Sequence, residues 1–140
     1  MTPGTILFDP NFRFKDGEIG RKLIVLLSDG GSGDYVVAKM TSRGNRFGFQ
    51  CGCQAMDRFP SFFLPQNACC LKENTWIQLE TYYEFEFHEL NGRIVAGSIR
   101  QIGALDSNLT KELLICATNS DDVTGYQEHA IRAALVKLGR

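Results

Sequence analysis

The sequence predicts an α+β fold in which five to six short, mostly antiparallel β-strands form a small barrel and two helices follow at the C-terminus. Strand-like segments fill the first two-thirds of the chain, whereas helical spacing of apolar residues appears only in the last third. Tight-turn sequences separate the strand-like segments, as is typical of small antiparallel barrels. At 140 residues the chain has the length of one domain, so we expect a single domain over residues 1–140.

Two consecutive apolar segments predict a central pair of strands. KLIVLLS (22–28) and DYVVAKMTS (34–42) are too short for typical helices and are rich in residues that favour strands. The Gly, Ser and Asp residues between them form a loop short enough to make the pair antiparallel. Upstream, GTILFD (4–9) and FRFKDGE (12–18) predict further strand structure, with a tight turn at Asp16-Gly17.

The middle of the chain predicts a long loop followed by more strands. Residues 43–71 contain scattered Gly and Pro, with one short strand expected at SFFL (61–64). The alternating segment TWIQLETYYEFEFHEL (75–90) predicts strand structure, and Asn91-Gly92 predicts a hairpin leading to a strand at RIVAGSI (93–99).

The last third of the chain predicts two helices. Ser107 is placed to cap a helix whose apolar residues recur at helical spacing from Leu109 to Ala117. A second helix is expected to start near Ser120-Asp121-Asp122, because acidic residues favour a helix N-terminus, and to end at Gly139.

Composition and charge exclude several classes of protein. The formal net charge is -1, so an anion-binding site must be a local patch rather than a property of the whole chain. The sequence has neither a long apolar segment nor a secretory leader, which predicts a cytoplasmic protein without membrane contact. Five cysteines, an odd number without an export signal, predict reduced thiols.

Cations and hydroxyls are predicted to meet at one end of the central strand pair. Arg21 and Lys22 precede the first strand, and Thr41, Ser42 and Arg43 end the second. Lys22 and Thr41 are about equally far from the connecting loop, so an antiparallel pair would place them side by side. Such a cluster suits a phosphodiester, because the cations neutralise charge and the hydroxyls donate hydrogen bonds. The alternative is that these are solvated strand ends and turn residues.

PGTILF, FKDGEIGRKLIVLLSD and YVVAKMTSR together resemble the opening of the PemK/MazF-like family of toxin ribonucleases. Members typically begin with Pro-Gly-x-Ile, continue with Gly-x-Arg-Pro into ALVLS, and then show a hydrophobic residue followed by Pro-Ile-Thr-Ser. The resemblance covers about the first 45 residues. It implies an SH3-like β-barrel with attached helices, a homodimer, metal-independent cleavage of single-stranded RNA, and an antitoxin protein that neutralises the enzyme.

The resemblance also implies roles for individual residues. A gapless match places Lys22 at the position of the family Arg and Leu23 at that of the Pro, with Arg21 as a possible substitute one residue earlier. Thr41 matches the family Thr. In the implied reaction, a ribose 2′-hydroxyl attacks the adjacent phosphate while cations stabilise the transition state, and no metal or other cofactor is needed. The candidate catalytic residues are Arg21, Lys22 and Thr41, and the candidate substrate-binding residues are Lys39, Ser42, Arg43 and Arg58.

Other interpretations remain open at this point. Lysine in place of arginine favours a catalytically lapsed barrel that binds nucleic acid or protein, because an ammonium cannot grip a phosphate as a guanidinium does. The aromatic segment around Arg58 suits RNA stacking, a partner helix, or simple core and dimer packing. A zinc site is the third reading. His88 or Cys116 would be a further ligand of the zinc ion. The loop thiols that would bind it are those of Cys51, Cys53, Cys69 and Cys70.

Overall fold

Within residues 1–31 and 33–139, which the structure describes, the computed structural model has eight β-strands and three α-helices. The first seven strands follow one another up to residue 85, and the last strand lies between two helices. The elements in chain order are β1 (Thr5–Arg13), β2 (Ile19–Leu26), β3 (Tyr35–Thr41), β4 (Gly52–Gln54), β5 (Ser61–Leu64), β6 (Thr75–Gln78), β7 (Tyr83–Phe85), α1 (Phe87–Val95), β8 (Arg100–Ala104), α2 (Ser107–Thr118) and α3 (Gly125–Leu138).

The predicted SH3-like barrel of five to six strands with two helices is wrong. The eight strands form one antiparallel sheet in the order β4-β5-β6-β3-β2-β1-β8, and β7 also pairs with β3. Among the described residues no ladder joins β4 to β8, so the sheet has two edges and does not close. A third helix, α1, is present in addition to the two that were predicted.

Helix α1 replaces the strands that were expected to follow β7. The Glu86 side chain accepts a hydrogen bond from the Glu89 backbone N–H at 2.7 Å, which caps a helix. Asn91-Gly92 therefore lies inside α1 rather than in a hairpin turn. The predicted strand RIVAGSI (93–99) is also wrong, because it contains the end of α1 and a turn at Gly97, where φ is 80°. Residues 87–95, which were predicted to form strand structure or a hairpin, are therefore not part of the sheet.

Several other predicted elements are confirmed. KLIVLLS and DYVVAKMTS form most of β2 and β3, which pair antiparallel. The short strand predicted at SFFL is β5, and the loop predicted for residues 43–71 also contains β4. Helices α2 and α3 form where they were predicted. Their caps differ, because Asp106 rather than Ser107 caps α2, and Thr124 caps α3 through a capping box with Gln127.

The helices cover the two faces of the sheet. Helices α2 and α3 pack on the face that contains Val25, Val36 and Ile77. Helix α1 packs on the opposite face, where Leu90 contacts a smaller cluster that includes Ile24 and Tyr35. A third cluster of Phe47, Phe63 and Trp76 is separate from both. Trp76 pairs with Thr41, and side chains alternate along β3, so this aromatic cluster lies on the same face as α1.

The expectation of reduced thiols fails for two of the five cysteines. Cys53 of β4 and Cys116 of α2 form a disulfide with a Cα–Cα distance of 5.5 Å. It links the edge strand of the sheet to a helix that lies 63 residues later in the chain. Cys51, Cys69 and Cys70 are free thiols. Among the described residues, no group of three or more His, Cys, Asp or Glu side chains is arranged to hold a metal ion.

A membrane-spanning helix is not found in the part of the chain that the structure describes. No helix there combines the length and the apolar character needed to cross a bilayer.

Candidate functional site

A cleft opens where β2 and β3 separate. The two strands pair from Leu26 opposite Val37 to Ile24 opposite Lys39. Beyond that point β3 pairs with β6 instead, through Met40 and Thr41, while β2 continues beside β1. The diverging strand ends border a cavity of about 660 Å³. The site therefore results from a change of strand partner along β3.

Most of the residues predicted for the site line this cavity. The predicted opposition of Lys22 and Thr41 agrees with the observed register, because continuing the ladder two residues beyond Ile24 and Lys39 makes them opposite each other. Both strands have separated by then, so the two side chains border open space rather than a continued ladder. The cavity brings together Arg21, Lys22, Thr41, Ser42 and Arg43, with Lys72 and Glu73 from the segment before β6.

A smaller cavity of about 280 Å³ adjoins the first and contains Lys39, the sixth predicted residue. Lys22, Thr41 and Arg43 border both cavities, and Arg46 also lines the smaller one. Lys22, Lys39 and Thr41 occupy strand positions that face the α1 side of the sheet. We refer to Lys22, Lys39, Thr41 and Arg43 together as the cationic cluster.

Strand alternation distinguishes Lys22 from Arg21. Along β2, Ile24 and Leu26 belong to the core on the α1 side, so Lys22 has their orientation and Arg21 the opposite one. Lys22 thus shares a face with Thr41, while Arg21 reaches the larger cavity from the other side. The register supports Lys22, rather than Arg21, as the residue beside the threonine.

Arg58 is not brought to the cleft. Its guanidinium lies over the Phe59 ring, at 5.3 Å from the ring centroid, and it lines neither of the two cavities. Arg46, which the sequence did not single out, lies over Phe47 and Phe59 at 4.9 and 5.1 Å. Arg46 also forms an ion pair with Glu80. It therefore connects the smaller cavity to the aromatic cluster.

The cations of the cluster lack acidic partners. Within the described part of the chain, no carboxylate forms a salt bridge with Lys22, Lys39 or Arg43. Burial, with the neighbouring charges of Lys39 and Arg43, lowers the pKa of Lys22. Burial also lowers the pKa of Lys39, an effect that Glu80 opposes and Arg46 reinforces. Crowded cations of this kind are stabilised by any bound anion.

An acidic residue lies beside Lys22 but is already paired. Asp9 of β1 is the Cα partner of Lys22 and is fully buried. The guanidinium of Arg93, from α1, donates to both Asp9 carboxylate oxygens, at 2.6 and 3.2 Å. The Asn11 backbone N–H donates to the same carboxylate at 2.9 Å. The Asp9 charge is thus compensated by Arg93 from the side of α1, and no salt bridge joins Asp9 to Lys22.

The hydroxyl of Thr41 is oriented by its own turn. Its oxygen accepts a hydrogen bond from the Arg43 backbone N–H at 3.0 Å, which leaves its proton free to be donated. No sequence signal pointed to the Asp9–Arg93 pair or to Lys72 and Glu73. Arg93 belongs to a predicted strand, and Lys72 and Glu73 lie between the predicted loop of residues 43–71 and the strand segment that begins at residue 75.

The arrangement can bind a phosphodiester. Ammonium and guanidinium groups neutralise the phosphate oxygens, a hydroxyl donates to one of them, and the cavity is open to a polymer. No protein-family model matches this chain, and no curated protein matches it.

Proposed function

We propose that this protein binds single-stranded RNA at the cationic cluster and cleaves it without a metal ion, as PemK/MazF-like toxin ribonucleases do. One observation carries the proposal. Lys22, Thr41 and Arg43 converge where two strands separate, and their cations have no acidic partner among the described residues. The resemblance of the first 45 residues implies catalytic roles for Lys22 and Thr41 and a substrate-binding role for Arg43.

The proposed reaction is transfer of the phosphate to the neighbouring ribose oxygen. The 2′-oxygen forms a bond to phosphorus, the bond to the 5′-oxygen breaks, and the products are a 2′,3′-cyclic phosphate and a 5′-hydroxyl. Arg43 stabilises the charge that develops on the phosphate oxygens, and the Thr41 hydroxyl donates to one of them. Lys22 donates a proton to the leaving 5′-oxygen, because a lowered pKa makes its ammonium a stronger acid.

The proton of the 2′-hydroxyl also needs an acceptor. Glu73 is the one carboxylate among the described residues that line the larger cavity. We assign it the role of general base. This assignment gives the cleft one acid and one base, as the two proton transfers require.

The lysine at the family arginine position does not remove the guanidinium from the site. Arg43 lines both cavities and can bind a phosphate through two parallel hydrogen bonds, a geometry that Lys22 lacks. Leu23, at the position of the family proline, also lines the larger cavity. A guanidinium of the kind that the family pattern uses is therefore available to the proposed reaction from Arg43, although it is not at the position of Lys22.

A cleavage assay tests the proposal. Purified protein is incubated with mixed single-stranded RNA in the presence of a chelator, and products are resolved on a gel. We expect cleavage by the wild type, and a loss of about 100-fold or more for Lys22→Ala, Thr41→Ala and Glu73→Gln. Arg132→Ala, which removes a cation from the exposed surface of α3, is the matched control and should cleave normally. Equal cleavage by all variants, or none by the wild type, would contradict the proposal.

A second candidate function is binding without cleavage, to nucleic acid or protein. It is favoured by the absence of histidine from the described cavity lining, which leaves one exposed carboxylate as the only candidate base. In that case wild-type protein would retain RNA in a filter-binding assay without cutting it. Lys22→Ala would weaken retention and reduce its dependence on salt concentration.

The resemblance also supports proposals about location and partners. It implies a homodimer and an antitoxin that blocks the cleft, and we also propose a cytoplasmic location. Growth arrest on expression, relieved by Thr41→Ala, would support a toxin, and sedimentation would test the dimer. The disulfide between Cys53 and Cys116 is uncommon in a reducing compartment. Labelling of thiols in rapidly quenched cells therefore tests the location. Reduced Cys53 and Cys116 would support a cytoplasmic protein, and an intact disulfide would argue against it.

A further inference from the structure

Phe49 is an exposed aromatic side chain that stands on a buried aromatic support. It is 69% exposed, although it packs at steep angles against Trp76 and Phe63, with centroid distances of 5.3 and 5.9 Å. Phe63 and Trp76 are themselves buried and stack on each other at 4.8 Å. Two buried rings thus hold a third ring whose remaining surface faces solvent.

The backbone on both sides of Phe49 is fixed. The Trp76 indole N–H donates to the Gly48 carbonyl at 2.8 Å. The Gln50 backbone N–H donates to the Gln54 side-chain oxygen at 3.2 Å. An added Cβ at Gly48 would lie 2.3 Å from the Gln54 side-chain oxygen, so a side chain there would require Gln54 to move. Hydrogen bonds thus hold the loop backbone on both sides of Phe49, which lowers the entropy lost on binding.

The exposed ring lies close to the cationic cluster. Trp76 is the Cα partner of Thr41 on the neighbouring strand. The Phe49 ring contacts the ring of Trp76, with 5.3 Å between the centroids, so it stands on the residue that is next to Thr41 across the sheet. Arg46 lies between the two regions, since it lines the smaller cavity and covers Phe47.

We propose that Phe49 is a stacking site for one unpaired base, next to the phosphate that the cationic cluster binds. A solvent-facing ring on the same face of the sheet as a cluster of cations is an arrangement that suits single-stranded nucleic acid, because bases stack on the ring while the cations bind the backbone. A base inside a duplex cannot lie on Phe49, so the site selects single strands. The inference rests on the proposed function only for the identity of the polymer.

The experiment separates stacking from cleavage. The probe is a single-stranded oligodeoxynucleotide that carries one 2-aminopurine and, lacking 2′-hydroxyls, cannot undergo the proposed reaction. Binding and 2-aminopurine quenching are measured for the wild type, Phe49→Ala, Phe49→Leu and Phe49→Tyr. An abasic oligonucleotide of the same length reports the contribution of the phosphates alone. Val95→Ala removes another exposed apolar side chain, one that is 89% exposed, and serves as the control.

We expect quenching with the wild type and with Phe49→Tyr, and affinity lower by roughly 5- to 150-fold for Phe49→Ala. Phe49→Leu keeps apolar surface without a ring and should lose the quenching, while Val95→Ala should match the wild type. Quenching without RNA cleavage would support this site even if the nuclease proposal fails.

Three results would overturn the inference. The first is binding of the base-containing probe by Phe49→Ala as tightly as by the wild type. The second is binding of the abasic strand as tightly as the probe. A dimer that dissociates on Phe49→Ala substitution would show that a second copy of the chain covers the ring instead.

Discussion

Removal of the Cys53–Cys116 disulfide is expected to lower the free energy of unfolding substantially. The bond closes a loop with a sequence separation of 63 residues. In the chain-entropy treatment, a loop of that length restricts the unfolded chain by about 14 cal/mol/K, or about 4 kcal/mol at 25 °C. Measured losses usually fall below that limit, so we expect about 2–4 kcal/mol for Cys53→Ser. For a chain of this length, 3 kcal/mol corresponds to a fall of about 10 °C in Tm.

Urea unfolding followed by circular dichroism measures the effect. Cys53→Ser changes the exposed half of the bond and leaves Cys116 as a small buried thiol, which the α2 core tolerates. Cys51→Ser is the matched control, because Cys51 is an exposed free thiol two residues away. Treatment of the wild type with a reductant should reproduce the loss, and should leave Cys53→Ser unchanged.

The reasoning would be refuted by either of two results. Thiol titration of the unfolded, unreduced protein should give three reactive cysteines, the number that the structure leaves free. Five would show that the bond does not form. Equal stability of Cys53→Ser and Cys51→Ser would show that closing this loop contributes nothing measurable.

Two further predictions concern buried polar groups. Arg93→Ala leaves the fully buried Asp9 carboxylate unpaired and should lower the free energy of unfolding by about 3–5 kcal/mol in urea titrations. The double variant with Arg93→Ala and Asp9→Asn should recover part of that free energy. A decrease below about 1 kcal/mol for Arg93→Ala would contradict the role of the pair. Burial raises the pKa of Tyr82 to about 12 from 10.0, so the folded state keeps a proton that the unfolded state loses, and stability should fall between pH 10 and pH 12 by up to about 3 kcal/mol. Tyr82→Phe should remove that part of the alkaline loss, and a spectrophotometric titration in which every tyrosine ionises near pH 10 would argue against it.

The juxtaposition of Lys22 and Thr41 could be predicted from the sequence because it depends on a short connection. Once β2 and β3 are assigned, the loop between them fixes the antiparallel register. The open cleft could not be predicted in the same way. It forms because β3 pairs with β6 at Met40, and that exchange of partners is a long-range event with no local signal.

Helix α1 shows how a strong local signal can mislead. Asn91-Gly92 favours a hairpin, yet the cap at Glu86 and the helical spacing of Leu90 and Ile94 decide the outcome once a core is available to bury them. The disulfide and the position of Phe49 could not be predicted from the sequence either. Both depend on contacts between a weakly patterned loop and elements that follow it in the sequence.

The pairing of Asp9 with Arg93 decides what charge the opening of the sheet presents. The strand neighbour of Lys22 is Asp9. The negative charge of Asp9 is compensated by the guanidinium of Arg93, which lies 84 positions later in the chain. A synthetic peptide spanning the first 45 residues would contain Asp9 and Lys22 but not Arg93, so it would lack the guanidinium that binds the Asp9 carboxylate in the folded protein. The charge that the cleft presents thus depends on a residue outside the segment that carries the resemblance.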